Sequence, residues 1–105
     1  MDEKRIERRL VEGVQKAGGL CLKFISPGRV GVPDRVIISP AGRGVFAEVK
    51  TETGKLSKRQ EFMLDELRKR NADVRVLCGL KDVESFLQEV MSNEIRPVSV
   101  STVLH

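Results

Sequence analysis

Residues 33–50, Pro33-Asp34-Arg35-Val36-Ile37-Ile38-Ser39-Pro40-Ala41-Gly42-Arg43-Gly44-Val45-Phe46-Ala47-Glu48-Val49-Lys50, form the only stretch in which acidic and basic residues sit inside two apolar runs. Val36-Ile37-Ile38 and Val45-Phe46-Ala47-Glu48-Val49 carry the β-branched and aromatic content of strands, and the segment between them, with two glycines and a proline, reads as a hairpin turn. With residues 39–43 as the loop, Ile38 lies opposite Gly44. Counting back along the ladder sets Asp34 opposite Glu48 on the same face of the sheet, which a one-residue slip would reverse. Alternation puts Glu48 and Lys50 together on one face and turns Val49 into the core.

Two neighbouring carboxylates raise each other's pKa unless a cation lies between them, and their oxygens suit a hard ion such as Mg²⁺ or Mn²⁺. Lys50 is placed to hold or polarise a water beside that ion. An ion so held acidifies water and screens charge on a phosphate, which is the logic of phosphodiester hydrolysis. Asp2-Glu3-Lys4 repeats the acidic-x-Lys spacing, but in a polar stretch with no strand and no upstream acid. Glu48 and Lys50 alone also fit an ion pair that blunts a strand edge. Pro33-Asp34 at hairpin spacing favours a site.

The string Gly31-Val32-Pro33-Asp34-Arg35, then Glu48-Val49-Lys50, then Gly54-Lys55-Leu56-Ser57 and Gln60 resembles the virus-type replication-repair nuclease (VRR-NUC) domain, a branch of the PD-(D/E)xK phosphodiesterase superfamily. The likeness runs from the first helix to Met91, so residues 1–91 are expected to form the domain and 92–105 a C-terminal tail or edge strand. It implies a metal-dependent DNA nuclease. Asp34 and Glu48 would be the ligands of Mg²⁺ or Mn²⁺, the Val49 carbonyl a further ligand, and Lys50 the neighbour of the attacking water.

The chain's 105 residues suffice for one domain with a modest core. Nineteen Lys and Arg against fifteen Asp and Glu give a net charge of +4, compatible with a polyanion but too small to establish one. Cys21 and Cys78 lie far apart in apolar runs and read as reduced core residues, and a sole histidine at position 105 gives no zinc site. No apolar stretch approaches a membrane span and the N-terminus lacks a signal core, so a cytoplasmic location, in a bacterium or a phage-infected cell, is expected.

Ile6, Leu10, Val11 and Val14 predict a helix over 3–17, stopped by Gly18-Gly19. Glu7 falls inside its apolar sector, either as an acid at the stripe's edge or as a third acid aimed at the metal. Glu3 shares the sector but sits in the first turn, where acids suit the helix dipole. The family's helical glutamate fits Glu7 better. A strand over 20–25 contains Lys23, read either as an exposed edge residue or as a phosphate contact. The following Gly- and Pro-rich loop offers Arg29, and Arg35 joins it to bracket Asp34 with positive charge.

Ser57-Lys58-Arg59-Gln60 has the capping-box pattern and opens a helix to about Arg70, with Phe62, Met63 and Leu67 as its core face. Gln60 is thus either a cap or, as the resemblance implies, a residue facing the site. Lys55, Lys58 and Arg59 gather positive charge where helix amides also favour phosphate. A strand over 73–78 and a helix from near Asp82, striped by Val83, Phe86, Leu87 and Val90, complete the domain.

The expected fold is α/β, restriction-endonuclease-like, a mixed β-sheet flanked by helices in the order αβββαβα. The expected function is a Mg²⁺- or Mn²⁺-dependent DNA endonuclease acting on branched, flap or four-way junction DNA in phage or mobile-element replication and repair. A homodimer is expected, with the alternating Val98-to-Leu104 segment as seam. The competing reading is a basic DNA-binding module on a relic nuclease fold. A relic is free to lose Asp34, Glu48 or Lys50, and all three are present.

Overall fold

The computed structural model describes residues 2–92. Four strands, β1 (Leu20–Lys23), β2 (Arg35–Ile38), β3 (Gly44–Lys50) and β4 (Val74–Cys78), form one sheet in the order β1-β2-β3-β4. The first three run antiparallel, and β4 joins β3 in parallel after the crossover helix α2 (Lys58–Lys69). Helix α1 (Glu3–Lys16) precedes the sheet, and α3 (Gly79–Phe86) follows it and continues as a π-helix over Leu87–Ser92. This is the α/β order read from the sequence. The tail over 93–105 and its Val98-to-Leu104 seam lie outside the described residues.

The hairpin register is Ile38↔Gly44 through Arg35↔Ala47. Its turn is pinned by Ser39, whose amide donates to the Arg43 carbonyl (2.8 Å) and whose hydroxyl accepts from the Arg43 amide (3.0 Å). Val45, Ala47 and Val49 are buried with Ile37 and Leu77 against Ile6, Leu10 and Val14 of α1 and Val83 and Phe86 of α3. Period-two alternation therefore sends residues 46, 48 and 50 to the opposite face, the one toward α2. Burying each large aliphatic of this core contributes roughly 1.5–3 kcal/mol before entropy is counted.

Helix α2 is capped as its sequence requires: the Ser57 hydroxyl accepts from the Gln60 amide and Gln60 Oε1 accepts from the Ser57 amide. Its buried residue is Leu64, whereas Phe62 is 59% exposed. Phe62 lies two positions, about 200°, around the helix from Leu64 and so points away from the sheet. Helix α3 begins at Gly79, three residues before Asp82. Gly79 takes φ +84° directly after the last residue of β4, and the Asp82 carboxylate accepts from the Cys78 amide. The two cysteines are free and half-buried, Cys21 resting against the core from the edge strand.

Strand β1 ends at Lys23 and the chain leaves the sheet through residues 24–34. Gly31 fixes where that loop goes. It has φ +89°, and a Cβ there would lie 2.5 Å from the Arg59 carbonyl oxygen, so the loop rests on the first turn of α2. Gly31→Ala combines left-handed strain with a backbone clash and is expected to lower the melting temperature by roughly 5–10 °C. Gly28→Ala, where a Cβ meets nothing within 4 Å, is the control and should leave it nearly unchanged in a thermal melt.

Candidate active site

Asp34 stands one residue before β2, and its carbonyl accepts from the Phe24 amide at 2.8 Å, which ties the end of β1 to it. The β2–β3 ladder closes at Arg35↔Ala47, so the next step outward sets Asp34 beside Glu48. Glu48 is only 9% exposed. Its carboxylate accepts from Gln60 Nε2 at 3.3 Å, lies 3.9 Å from Lys50 Nζ, and is hydrogen-bonded by the Asp34 backbone amide. Burial first, and the Asp34 charge second, push Glu48 up to about 7. Lys50 and the Asp34 amide work against that rise without cancelling it, and Glu3 adds to it.

An acid raised by burial and by a second carboxylate is a group short of positive charge. Those oxygens are hard donors, so the pair fits Mg²⁺ or Mn²⁺. Among the described residues no group of three or more His, Cys, Asp or Glu is placed to hold a metal ion. The ladder to β2 ends at Ala47, which leaves the Val49 backbone outside it.

Gln60 carries both roles that its sequence position allowed. One end of its amide caps α2 and the other reaches Glu48. Glu7, read above either as an acid at the stripe's edge or as a third acid aimed at the metal, is engaged by a cation. Its carboxylate accepts from Arg35 Nε at 3.0 Å. Arg35 opposes Ala47, whose side chain faces α1, so both partners of this pair lie on the α1 face of the sheet while Glu48 is directed to the other. The α1 acid among the charges acting most on Glu48 is Glu3. Helical spacing put both acids in one sector, and only the position of the helix start relative to the sheet end separates them.

The same ion pair changes the reading of Arg35, which is half-buried against Glu7 and not a rim cation. Lys23, Arg29, Lys55 and Lys58 are exposed. Lys55 and Lys58 flank the start of α2, near Gln60, and Arg29 lies in the loop seated on that turn. Gly31, quoted above as the first residue of the family-like string, has a positioning role that the string alone does not reveal: it seats the loop on the first turn of α2.

Fold and site together define a nuclease-type α/β domain. The chain belongs to the VRR-NUC domain family, whose model matches residues 2–80. A solved structure titled as a VRR_NUC domain is 34% identical, covering 82% of this chain and 94% of its own, with a TM-score of 0.77. A second, titled as a VRR_NUC domain protein, is 19% identical over 87% of this chain and 88% of its own, with a TM-score of 0.64, a likeness of fold. A protein named as a candidate nuclease, p44, from Acyrthosiphon pisum secondary endosymbiont phage 1 is 52% identical over 48 residues, 46% of this chain. The chain spans about half the length of that curated relative, 52% of it.

Glu48 gives a stability signature. A carboxyl whose folded pKa is raised from 4.5 to about 7 favours the folded state below the unfolded value, and that advantage is lost as pH rises through 7. In metal-free protein Glu48→Gln is therefore expected to raise the melting temperature at pH 8 and to give no gain at pH 4. Thermal melts in chelator at the two pH values check this; an equal loss at both would show that Glu48 is not held under strain.

Proposed function

We propose that this chain is a Mg²⁺- or Mn²⁺-dependent DNA endonuclease with Asp34, Glu48 and the Val49 carbonyl as metal ligands. The observation that carries it is Glu48, a nearly buried carboxylate set beside Asp34 with Lys50 and Gln60 against it. When bound, the ion supplies the positive charge that screens a phosphate and acidifies a neighbouring water. The chain's own groups do the rest. Lys50 holds a water at the Glu48 edge and stabilises negative charge developing there. Gln60, fixed at its other end by the cap of α2, keeps the Glu48 carboxylate in one orientation. Arg29, Lys55 and Lys58 supply exposed positive charge that draws the DNA backbone to the site, whereas Lys23, the register partner of Arg35, lies toward the α1 face.

The proposed substrates are branched, flap or four-way junction DNA, met in phage or mobile-element replication and repair, and the proposed working form is a homodimer. The exposed edge of β1, with Leu20 and Leu22 projecting at 56% and 48% exposure, supports the dimer, because an uncovered apolar edge invites a second chain.

With Mg²⁺ or Mn²⁺ the purified protein is expected to cut branched DNA and to stop in chelator. Asp34→Asn and Glu48→Gln should each lower cutting by at least ~100-fold, the order of a lost electrostatic catalytic group, while gel-shift affinity stays. Cutting by the double variant at the wild-type rate would remove the site assignment. Light scattering at tens of micromolar should give twice the chain mass, and Leu22→Lys should halve it; a monomeric wild type would end the dimer proposal.

A further inference from the structure

The loop that leaves β1 holds a surface feature unused by the chemistry above. Ile25 is 75% exposed, Val30 68% and Phe24 39%, all within one short segment. Side chains this apolar are seldom grouped in solvent without a partner. The segment is anchored to the site at both ends: the Phe24 amide donates to the Asp34 carbonyl, and Gly31 touches the Arg59 carbonyl at the start of α2. Ile25 and Val30 thereby lie in a segment held between the end of β1, tied to Asp34, and the first turn of α2, which carries Gln60.

Their neighbours in sequence and along the rim are cations. Arg29, Lys55, Lys58 and Arg59 are exposed and make no ion pair among the described residues, in contrast to Arg9, Arg35 and Arg75, which are each paired with a carboxylate. Apolar tips interleaved with unpaired cations suit a partner that offers negative charge and apolar faces at the same spacing. A nucleic acid with an accessible base does so, since phosphates meet the cations and a base face meets the aliphatic groups.

We propose that Ile25 and Val30 form an apolar wedge that holds an unstacked base next to the cleaved phosphodiester, so that the site selects DNA whose bases are already loosened at a branch, flap or nick. Selection follows from the cost of unstacking, which is least where pairing has already ended. The inference rests on the nuclease reading and adds the residues that choose among DNA structures.

The test uses full-length Glu48→Gln protein, bound with Mg²⁺ to flap or four-way junction oligonucleotides carrying 2-aminopurine at successive positions around the branch. Fluorescence is expected to rise severalfold at one or two positions, as a base leaves the stack, and to return to the level of free DNA when Ile25→Ser and Val30→Ser are added. Both side chains are exposed, so the melting temperature should change by no more than about 5 °C. With Glu48 intact, the same pair of substitutions should reduce the preference for flap over plain duplex by ~tenfold, the order of one stacked base.

An equal fluorescence rise without the two side chains overturns the wedge, as does a flat signal at every position while gel shift shows binding. Conversion of a dimer to a monomer by Ile25→Ser and Val30→Ser also overturns it and assigns the surface to a second copy. If wild-type protein cuts no DNA with either metal, the nuclease reading falls and the wedge with it; wild-type cutting with a flat signal removes the wedge alone.

Discussion

The structure depends on one register, that of the β2–β3 hairpin. Ile38 opposite Gly44 brings Asp34 beside Glu48, and it fixes at the same time which side chains of β3 enter the core. Sliding that ladder by one residue would bury Glu48 against α1 and expose Val49. The aliphatic residues that make the sheet stable are thus the ones that force two carboxylates together. Their repulsion is offset by the burial of the whole core around Val45, Ala47 and Val49.

The α2 side of the sheet completes the arrangement. The capping box of α2 would stabilise the helix by ~1 kcal/mol with no function attached. Here its glutamine is also the group that reaches Glu48, so the helix start and the carboxylate are set by a single side chain. Gly31 brings the Pro33-Asp34 approach against the same turn. Loop, helix start and strand therefore meet at one point, and a backbone error in any of them is felt by the carboxylate pair.

Much of this was legible in the sequence. The element order, the hairpin register, the cap of α2, the inward turn of Val49 and the stripe of α3 follow from periodicity and turn chemistry, which are local. What failed needed the third dimension. Glu7 and Glu3 share a helical sector, and only the sheet's alternation shows that Arg35 takes Glu7 on the α1 face. Phe62 reads as core by composition, yet Leu64 occupies that role because the helix presents its other side. The start of α3 at Gly79 was hidden by Asp82, which looks like a cap and serves one turn later, on the Cys78 amide.

The central claim is that Asp34 and Glu48, set opposite each other by the hairpin, form a cation site on the α2 face of the sheet. A ligand that binds only the folded protein raises its melting temperature. Thermal melts with and without millimolar Mn²⁺ test the claim most directly: wild type and Glu7→Gln should both gain, and Asp34→Asn should gain nothing. An equal rise in wild type and Asp34→Asn would place the ion elsewhere and contradict the account.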